Sequence, residues 1–250
     1  MSYYKLCEKH IQSKYAANEQ KARDAWGTVG SVTGIVVNFL LADEINRTSP
    51  KTQSALLEAM EEGQVTVDGI SHPIPKPFVV IATQNPVENQ GTFPLPEAML
   101  DRFLMKLSLG CPTGEEAVAM MQRFLNGQPL AELRTVATVQ ELAAAAAEVR
   151  QVRVQEDVLR YMAALCEAAR DPEKVRLGPS PRALLALMRT CQALAAIRGR
   201  DYVIPDDAKE LAVPVLAHRI VLRGVNYQTS PESFVQELLG KVEAPTEAAR

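Results

Sequence analysis

The sequence predicts an α/β domain followed by an all-helical region. Three observations carry this expectation. Two apolar runs, Asn38–Ala42 and Phe78–Thr83, end abruptly in polar residues, Asp43-Glu44 and Gln84-Asn85. Between them lie a helical stretch opened by Ser49-Pro50 and a hairpin signal at Asp68-Gly69. From Gly114 onward the apolar residues recur at helical spacing.

Residues 1–34 read as an atypical N-terminal segment, helical to about Ala25, with only a weak apolar stripe (Tyr4, Leu6, Cys7, Ile11, Tyr15). A link, Gly27-Thr28-Val29-Gly30-Ser31, follows. Residues 35–112 form the α/β part. Its first strand lacks alternation and is apolar on both faces, as in a parallel sheet covered on each side. Ser49 suits an N-cap and Pro50 the first helical position, with Leu56, Leu57 and Met60 on the buried face. Gln64–Ile70 alternates and turns at Asp68-Gly69, and Phe78–Thr83 is the second buried strand. A Pro- and Gly-bearing loop, in which Phe93 reads as a buried anchor in preference to a contact residue, leads to a short helix from about Glu97 to Phe103. Strand, helix, hairpin and strand together make part of an α/β sheet.

Cys111-Pro112-Thr113-Gly114 marks the expected boundary. Residues 113–240 then read as helices: Gly114–Leu125, Val139–Val149, Glu156–Arg170, one opened by Ser180-Pro181, and one opened by Pro205. The third buries Val158, Met162, Leu165, Cys166 and Ala169; the fourth buries Leu184, Leu187, Met188, Cys191 and Leu194. Ile204, before Pro205, has no oxygen with which to cap its helix. Residues 241–250 are polar and expected to be disordered.

Composition narrows the function classes. Hydrophobic residues make up 47% and charged residues 23%, so 250 residues suffice for a sizeable core. The net charge of -3 gives no case for nucleic acid or an anionic membrane as partner. No apolar run approaches the roughly 20 residues that span a bilayer, and the N-terminus lacks the apolar core of a signal peptide. A cytoplasmic setting is expected. Cys7, Cys111, Cys166 and Cys191 are widely spaced, and His10, His72 and His218 are equally scattered, so no zinc-type ligand spacing is present. Cys166 and Cys191 fall on apolar helical faces, where cysteine acts as a small hydrophobe.

The chemistry concentrates at strand ends, where open α/β sheets bind ligands. Asp43 suits a metal ion held through its water shell, Glu44 suits water activation, and Asn85 suits holding that water against a γ-phosphate. The plainer alternative is that acidic residues merely cap a strand. An isolated Asp-Glu favours that alternative; a second polar strand end in matching position favours the site.

Several motifs then stand in series. They are Leu40-Leu41-Ala42-Asp43-Glu44-Ile45-Asn46-Arg47, Lys51-Thr52-Gln53 with Leu56-Leu57-Glu58-Ala59-Met60, and Gln64-Val65-Thr66-Val67-Asp68-Gly69. Ile81-Ala82-Thr83-Gln84-Asn85-Pro86, Gly91-Thr92-Phe93-Pro94-Leu95-Pro96-Glu97-Ala98, Leu100-Asp101-Arg102-Phe103 and Ser180-Pro181-Arg182-Ala183 follow. In this order they resemble the MoxR family of AAA+ ATPases. The resemblance runs from about Asn38 to Leu222. It implies an AAA+ core, with Walker B and sensor 1 strands and a β-hairpin insertion, followed by an α-helical lid. Asp43 and Glu44 would be the Walker B pair, with Asp43 on Mg²⁺, and Asn85 would be sensor 1. Arg102 would be the arginine finger reaching a neighbouring subunit's nucleotide, and Arg182 the sensor 2 that contacts phosphate from the lid. Taken alone, Arg102 reads as a surface ion-pair partner of Asp101, and Arg182 as a solvated first-turn residue. The hairpin would face a central pore or simply pack beside the sheet. The resemblance also implies ATP and Mg²⁺ as cofactors, a ring hexamer with like subunits, and partners with von Willebrand A-type domains.

One family feature is missing from the 250 residues: Gly-x-x-x-x-Gly-Lys-Ser/Thr, the loop whose backbone N–H groups and lysine cradle phosphates. Gly27-Thr28-Val29-Gly30-Ser31 has no lysine, and Gly240-Lys241 stands without the rest of the motif. Three readings follow: an N-terminally truncated remodelling ATPase, a non-hydrolysing homologue acting as scaffold or in-trans finger donor, or a gene fragment without function.

Overall fold

A computed structural model of the chain describes residues 38–67, 69–85, 92–125, 127, 133–224 and 230–245. The helix expected before Ala25, the Gly27–Ser31 link, Asp68, Pro86 and the last five residues of the tail lie outside the described residues. The chain separates into two compact units, divided between Pro94 and Leu95, and each is taken by itself.

The first unit runs β1 (Phe39–Ala42), a 3-10 turn (Ile45–Arg47), α1 (Pro50–Glu62), β2 (Gln64–Val67), β3 (Ile70–Pro73) and β4 (Val79–Ala82). β1 and β4 pair in parallel, Phe39 opposite Val79 and Ala42 opposite Ala82. Parallel strands need a crossover, and α1 with the β2–β3 hairpin supplies it. Ser49 caps α1 by accepting the Thr52 N–H at 3.3 Å, with Pro50 at the first helical position as the sequence predicts. Gly63, at φ 63°, ends the helix in the left-handed conformation that a glycine adopts without a Cβ penalty.

The buried face of α1 is Gln53, Leu56 and Ala59; Leu57 and Met60, expected there, are half-buried. The small Ala59 lets Val65 of the hairpin and Ile74 close onto the helix, with Phe78 beside them. Val67 opposite Ile70 leaves a two-residue turn, with Gly69 at φ 78°. One expectation for the sheet is corrected. β1 and β4 are not covered on both faces: Phe39, Leu41, Val79 and Ile81 share one face and are 36–54% exposed. Among the described residues the sheet has only these two strands.

The second unit holds α2 (Glu97–Leu100), α3 (Gly114–Leu125), α4 (Val139–Val149), α5 (Glu156–Ala168), β5 (Val175–Leu177) and α6 (Pro181–Ile197). α7 (Pro205–Leu216), a second 3-10 turn (Ala217–Arg219), β6 (Val221–Leu222) and α8 (Pro231–Lys241) complete it. Its core comes from α5 to α8. All five residues expected to be buried on and just after α5 are buried, and Tyr161 joins them. On α6, Leu187 and Cys191 are buried as expected, whereas Leu184, Met188 and Leu194 are half-buried. Ala183, Ala186 and Ala195 are buried with Leu187 and Cys191, and α6 packs on α7. α3 and α4 bury none of their residues.

Two local features depart from a purely helical reading. β5 and β6 form a short antiparallel ladder, Val175 opposite Leu222. Ile204 offers no cap, but Asp207 reaches back to accept its N–H at 3.0 Å. Asp207 is wholly buried and accepts two bonds from Arg200, at 2.6 and 2.9 Å, which compensate the desolvated carboxylate. The division at Pro94/Leu95 lies upstream of Cys111–Gly114 because Asp101, Phe103, Leu104 and Lys106 bond to the helices after α5. No helix among the described residues is long and apolar enough to cross a membrane.

Candidate active site

In the first unit, the carboxyl ends of β1 and β4 are fastened by one residue, Thr83. Its N–H donates to the Ala42 carbonyl at 3.0 Å, and its own carbonyl accepts the Ile45 N–H at 3.1 Å. Its hydroxyl accepts the Glu44 N–H at 2.9 Å and donates to Asp43 Oδ1 at 2.5 Å. Asp43 is therefore held by one oxygen at the exposed strand end. Glu44 has φ 48° and ψ 50°, the single non-glycine residue with positive φ among the described residues. That conformation costs a side-chain-bearing residue about 1 kcal/mol or more. The hydroxyl bond from Thr83 returns about 1 kcal/mol, so the turn is over-determined by its neighbours. It sends Glu44 away from the strand direction beside Asp43, where its carboxylate meets Arg47 Nε at 3.2 Å. Both partners of that pair are exposed, so it is weak and readily exchanged.

The turn after Glu44 has a second fastening. Gln53, buried on α1, donates its Nε2 to the carbonyls of Ile45 and Phe93, both at 3.3 Å. The Phe93 N–H returns to the Asn46 carbonyl at 2.6 Å. Phe93 does anchor this loop, but through its backbone; the side chain is 47% exposed, contrary to the buried ring expected. Asn85 follows Thr83 by two residues, half-buried past the end of β4.

In the second unit, Arg102 lies on the turn after α2 and donates Nε to the Ala98 carbonyl at 3.2 Å. Arg182 is in the first turn of α6, its Nη1 3.8 Å from Asp101 Oδ2. Asp101 also accepts two contacts from Ser180 Oγ, at 2.9 and 3.0 Å, and one from Arg219 Nε at 3.0 Å. The structure thus brings Asp43, Glu44 and Thr83 together in one unit, and in the other it brings Arg182 to Asp101, the chain neighbour of Arg102.

Residues 17–105 match the ATPase family associated with various cellular activities (AAA), and residues 167–238 match the AAA lid domain. The chain is similar to YeaC of Bacillus subtilis, 45% identical over 215 residues, 85% of this chain and 67% of that protein. It is 42% identical over 226 residues to the chaperone MoxR1 of Mycobacterium tuberculosis, covering 84% of this chain and 58% of MoxR1. A crystal structure from Cytophaga hutchinsonii has a TM-score of 0.78 at 37% identity, covering 85% of this chain and 68% of that one. The chain belongs to the MoxR family of AAA+ ATPases.

For a MoxR-family chain, the expected architecture of α/β core and helical lid is borne out, with the β5–β6 ladder as an addition. Arg219 escaped the sequence reading, which also gave Thr83 and Gln53 no role of their own and took Ser180 only as the start of its helix, where its side chain in fact caps no N–H. A threonine at a strand end reads as an ordinary β-former, and a glutamine in a helix reads as a solvated residue. Their long-range bonds have no local signal. Electrostatics in the lid are dominated by burial. Burial pulls the His218 pKa down to about 4, with the Arg219 charge as a further cause, so the imidazole is neutral at physiological pH. Burial pushes the thiols of Cys166 and Cys191 up to about 11 and about 12, which fits cysteines acting as inert core residues.

Proposed function

We propose that this MoxR-family chain works in ATP-driven, chaperone-like remodelling or maturation of partner proteins, within a cytoplasmic ring of like subunits. The observation that carries the reading is the pair Asp43–Glu44, held by Thr83 at the ends of two adjacent parallel strands. Asp43, fixed by one oxygen, keeps the other for the water shell of a nucleotide-bound cation. Mg²⁺ is bound in such sites through one or two carboxylates, its own waters and substrate phosphates. The donor set fits that mode. Among the described residues no group of three His, Cys, Asp or Glu side chains forms a protein-only metal site. When bound, Mg²⁺ with ATP neutralises the charge that develops on the phosphates. Glu44 polarises the attacking water, and Asn85 orients that water towards the terminal phosphate. Arg182 meets phosphate from the lid. Arg102 serves the nucleotide of the adjoining subunit, where a fixed guanidinium charge matches the spread negative charge of the transition state. By the same family reasoning, von Willebrand A-type proteins are proposed partners.

A second reading rests on Arg102, which lies on the turn after α2. Here the chain's part in a mixed ring is to donate Arg102 in trans to a neighbouring subunit. Adding the chain to a MoxR-type subunit that carries the loop tests ring formation for both readings. The chain is expected to co-elute with that subunit and to change its ATP turnover, and the Arg102→Ala chain to co-elute without that effect. Separate elution with unchanged turnover contradicts the ring.

A further inference from the structure

We infer that Arg219 and Asp101 are positioning residues that aim Arg102, an inference that rests on the finger role proposed above. Arg219 follows α7 in the second 3-10 turn, and its side chain is only 2% exposed. A buried guanidinium is costly to desolvate, and an apolar side chain of similar volume commonly serves stability as well. What an apolar side chain cannot do is fix several carbonyl oxygens at set angles. Arg219 does so for the backbone on both sides of Arg102. Its Nε and Nη2 donate to the Asp101 carbonyl at 3.3 and 3.1 Å, and Nη2 donates to the Phe103 carbonyl at 2.6 Å. Nη1 donates to the Leu104 carbonyl at 3.3 Å and to that of Val215. His218, uncharged, adds a contact from Nε2 to the Phe103 carbonyl at 3.2 Å.

Asp101 completes the clamp from the other side. Its carboxylate takes Arg219 Nε on Oδ1 and Ser180 Oγ on both oxygens. Ser180 holds the N-cap position of α6, yet its hydroxyl caps no helical N–H and donates to Asp101 instead. The positive end of the α6 dipole also favours a carboxylate there. The turn carrying Arg102 is therefore bolted to α6 through Asp101 and to the end of α7 through Arg219. A side chain that must reach a transition state from outside its own subunit gains most from a rigid base, because a misplacement of about 1 Å can cost about a hundredfold in rate.

The test uses rings of this chain with a MoxR-type subunit that carries the phosphate loop and has its own Leu-Asp-Arg-Phe arginine changed to Ala. Turnover then depends on Arg102 of this chain, and Arg102→Ala sets the floor. Asp101→Asn and Arg219→Lys are expected to lower kcat towards that floor by about tenfold to a hundredfold, with ring composition unchanged; KM for ATP stays unchanged in Arg219→Lys, whereas Asp101→Asn also removes the charge facing Arg182 and is not used for the KM comparison. Ser180→Ala, which leaves the Asp101–Arg219 pair in place, is expected to lower kcat several-fold and serves where a stronger variant does not fold. A loss of stability alone would lower the melting temperature without this split between kcat and KM. If Arg102→Ala lowers kcat while Asp101→Asn and Ser180→Ala match the unaltered chain, the positioning inference is wrong and the finger stands. If Arg102→Ala changes nothing, or the chain does not enter the rings, the finger reading fails and takes the inference with it.

Discussion

At the scale of single residues, the chemistry of the first unit turns on Thr83. The pair Asp43–Glu44 was legible because two carboxylates at the end of an apolar run stand out. The left-handed Glu44 was not, since nothing in its residue type announces a positive φ; Thr83, just past the end of β4, accepts its N–H. Replacing Thr83 by the near-isosteric valine removes both hydroxyl bonds and leaves Asp43 and the Glu44 N–H without them. Thr83→Val is expected to destabilise the first unit by about 1–3 kcal/mol, read as a lower urea midpoint, while Thr83→Ser stays within about 1 kcal/mol of the parent because it keeps the hydroxyl. Equal midpoints for Val and the parent would show that the hydroxyl does not hold the turn.

Among the elements, agreement between sequence and structure follows the strength of the local pattern. α1 begins at Pro50 because Ser49 and Pro50 are both start signals, and the hairpin forms because Asp68-Gly69 sits between alternating strands. β5 and β6, three and two residues long, carry no pattern that periodicity can find. The capping of α7 by Asp207 was hidden for a different reason: the carboxylate lies inside the helix and reaches back to Ile204. The turn between α7 and β6 gives a pH dependence. Its His218 is held neutral in the folded state by burial, which pulls the pKa down to about 4, against about 6.5 in an unfolded chain. Between those values the unfolded chain binds the extra proton, so this contribution is intact above the unfolded pKa and is lost as pH falls towards the folded one. Lowering the pH from about 7.5 to about 5 should remove about 2 kcal/mol of lid stability, measured by denaturant unfolding. His218→Gln, which retains a donor for the Phe103 carbonyl without titrating, should flatten that window. An unchanged slope in the variant would mean that other groups set the acid response.

On the scale of the whole molecule, the AAA+ character was legible because many separate motifs occur in the family's order. The cover of the first sheet was not. An apolar run shows that a strand can be buried on two faces, not what lies against each face, and among the described residues Phe39, Leu41, Val79 and Ile81 are exposed on one. The central claim is that Asp43 and Glu44 form a hydrolytic centre for Mg²⁺-ATP in a MoxR-type subunit. It is tested most directly in a chimaera in which the phosphate-loop-bearing portion of a MoxR-type subunit replaces residues 1–37. Turnover and ATP affinity are then compared between Glu44 and Glu44→Gln. Mg²⁺-dependent hydrolysis is expected, falling by about a hundredfold or more in Glu44→Gln, with Kd for ATP unchanged. Equal turnover by the two proteins would contradict the central claim.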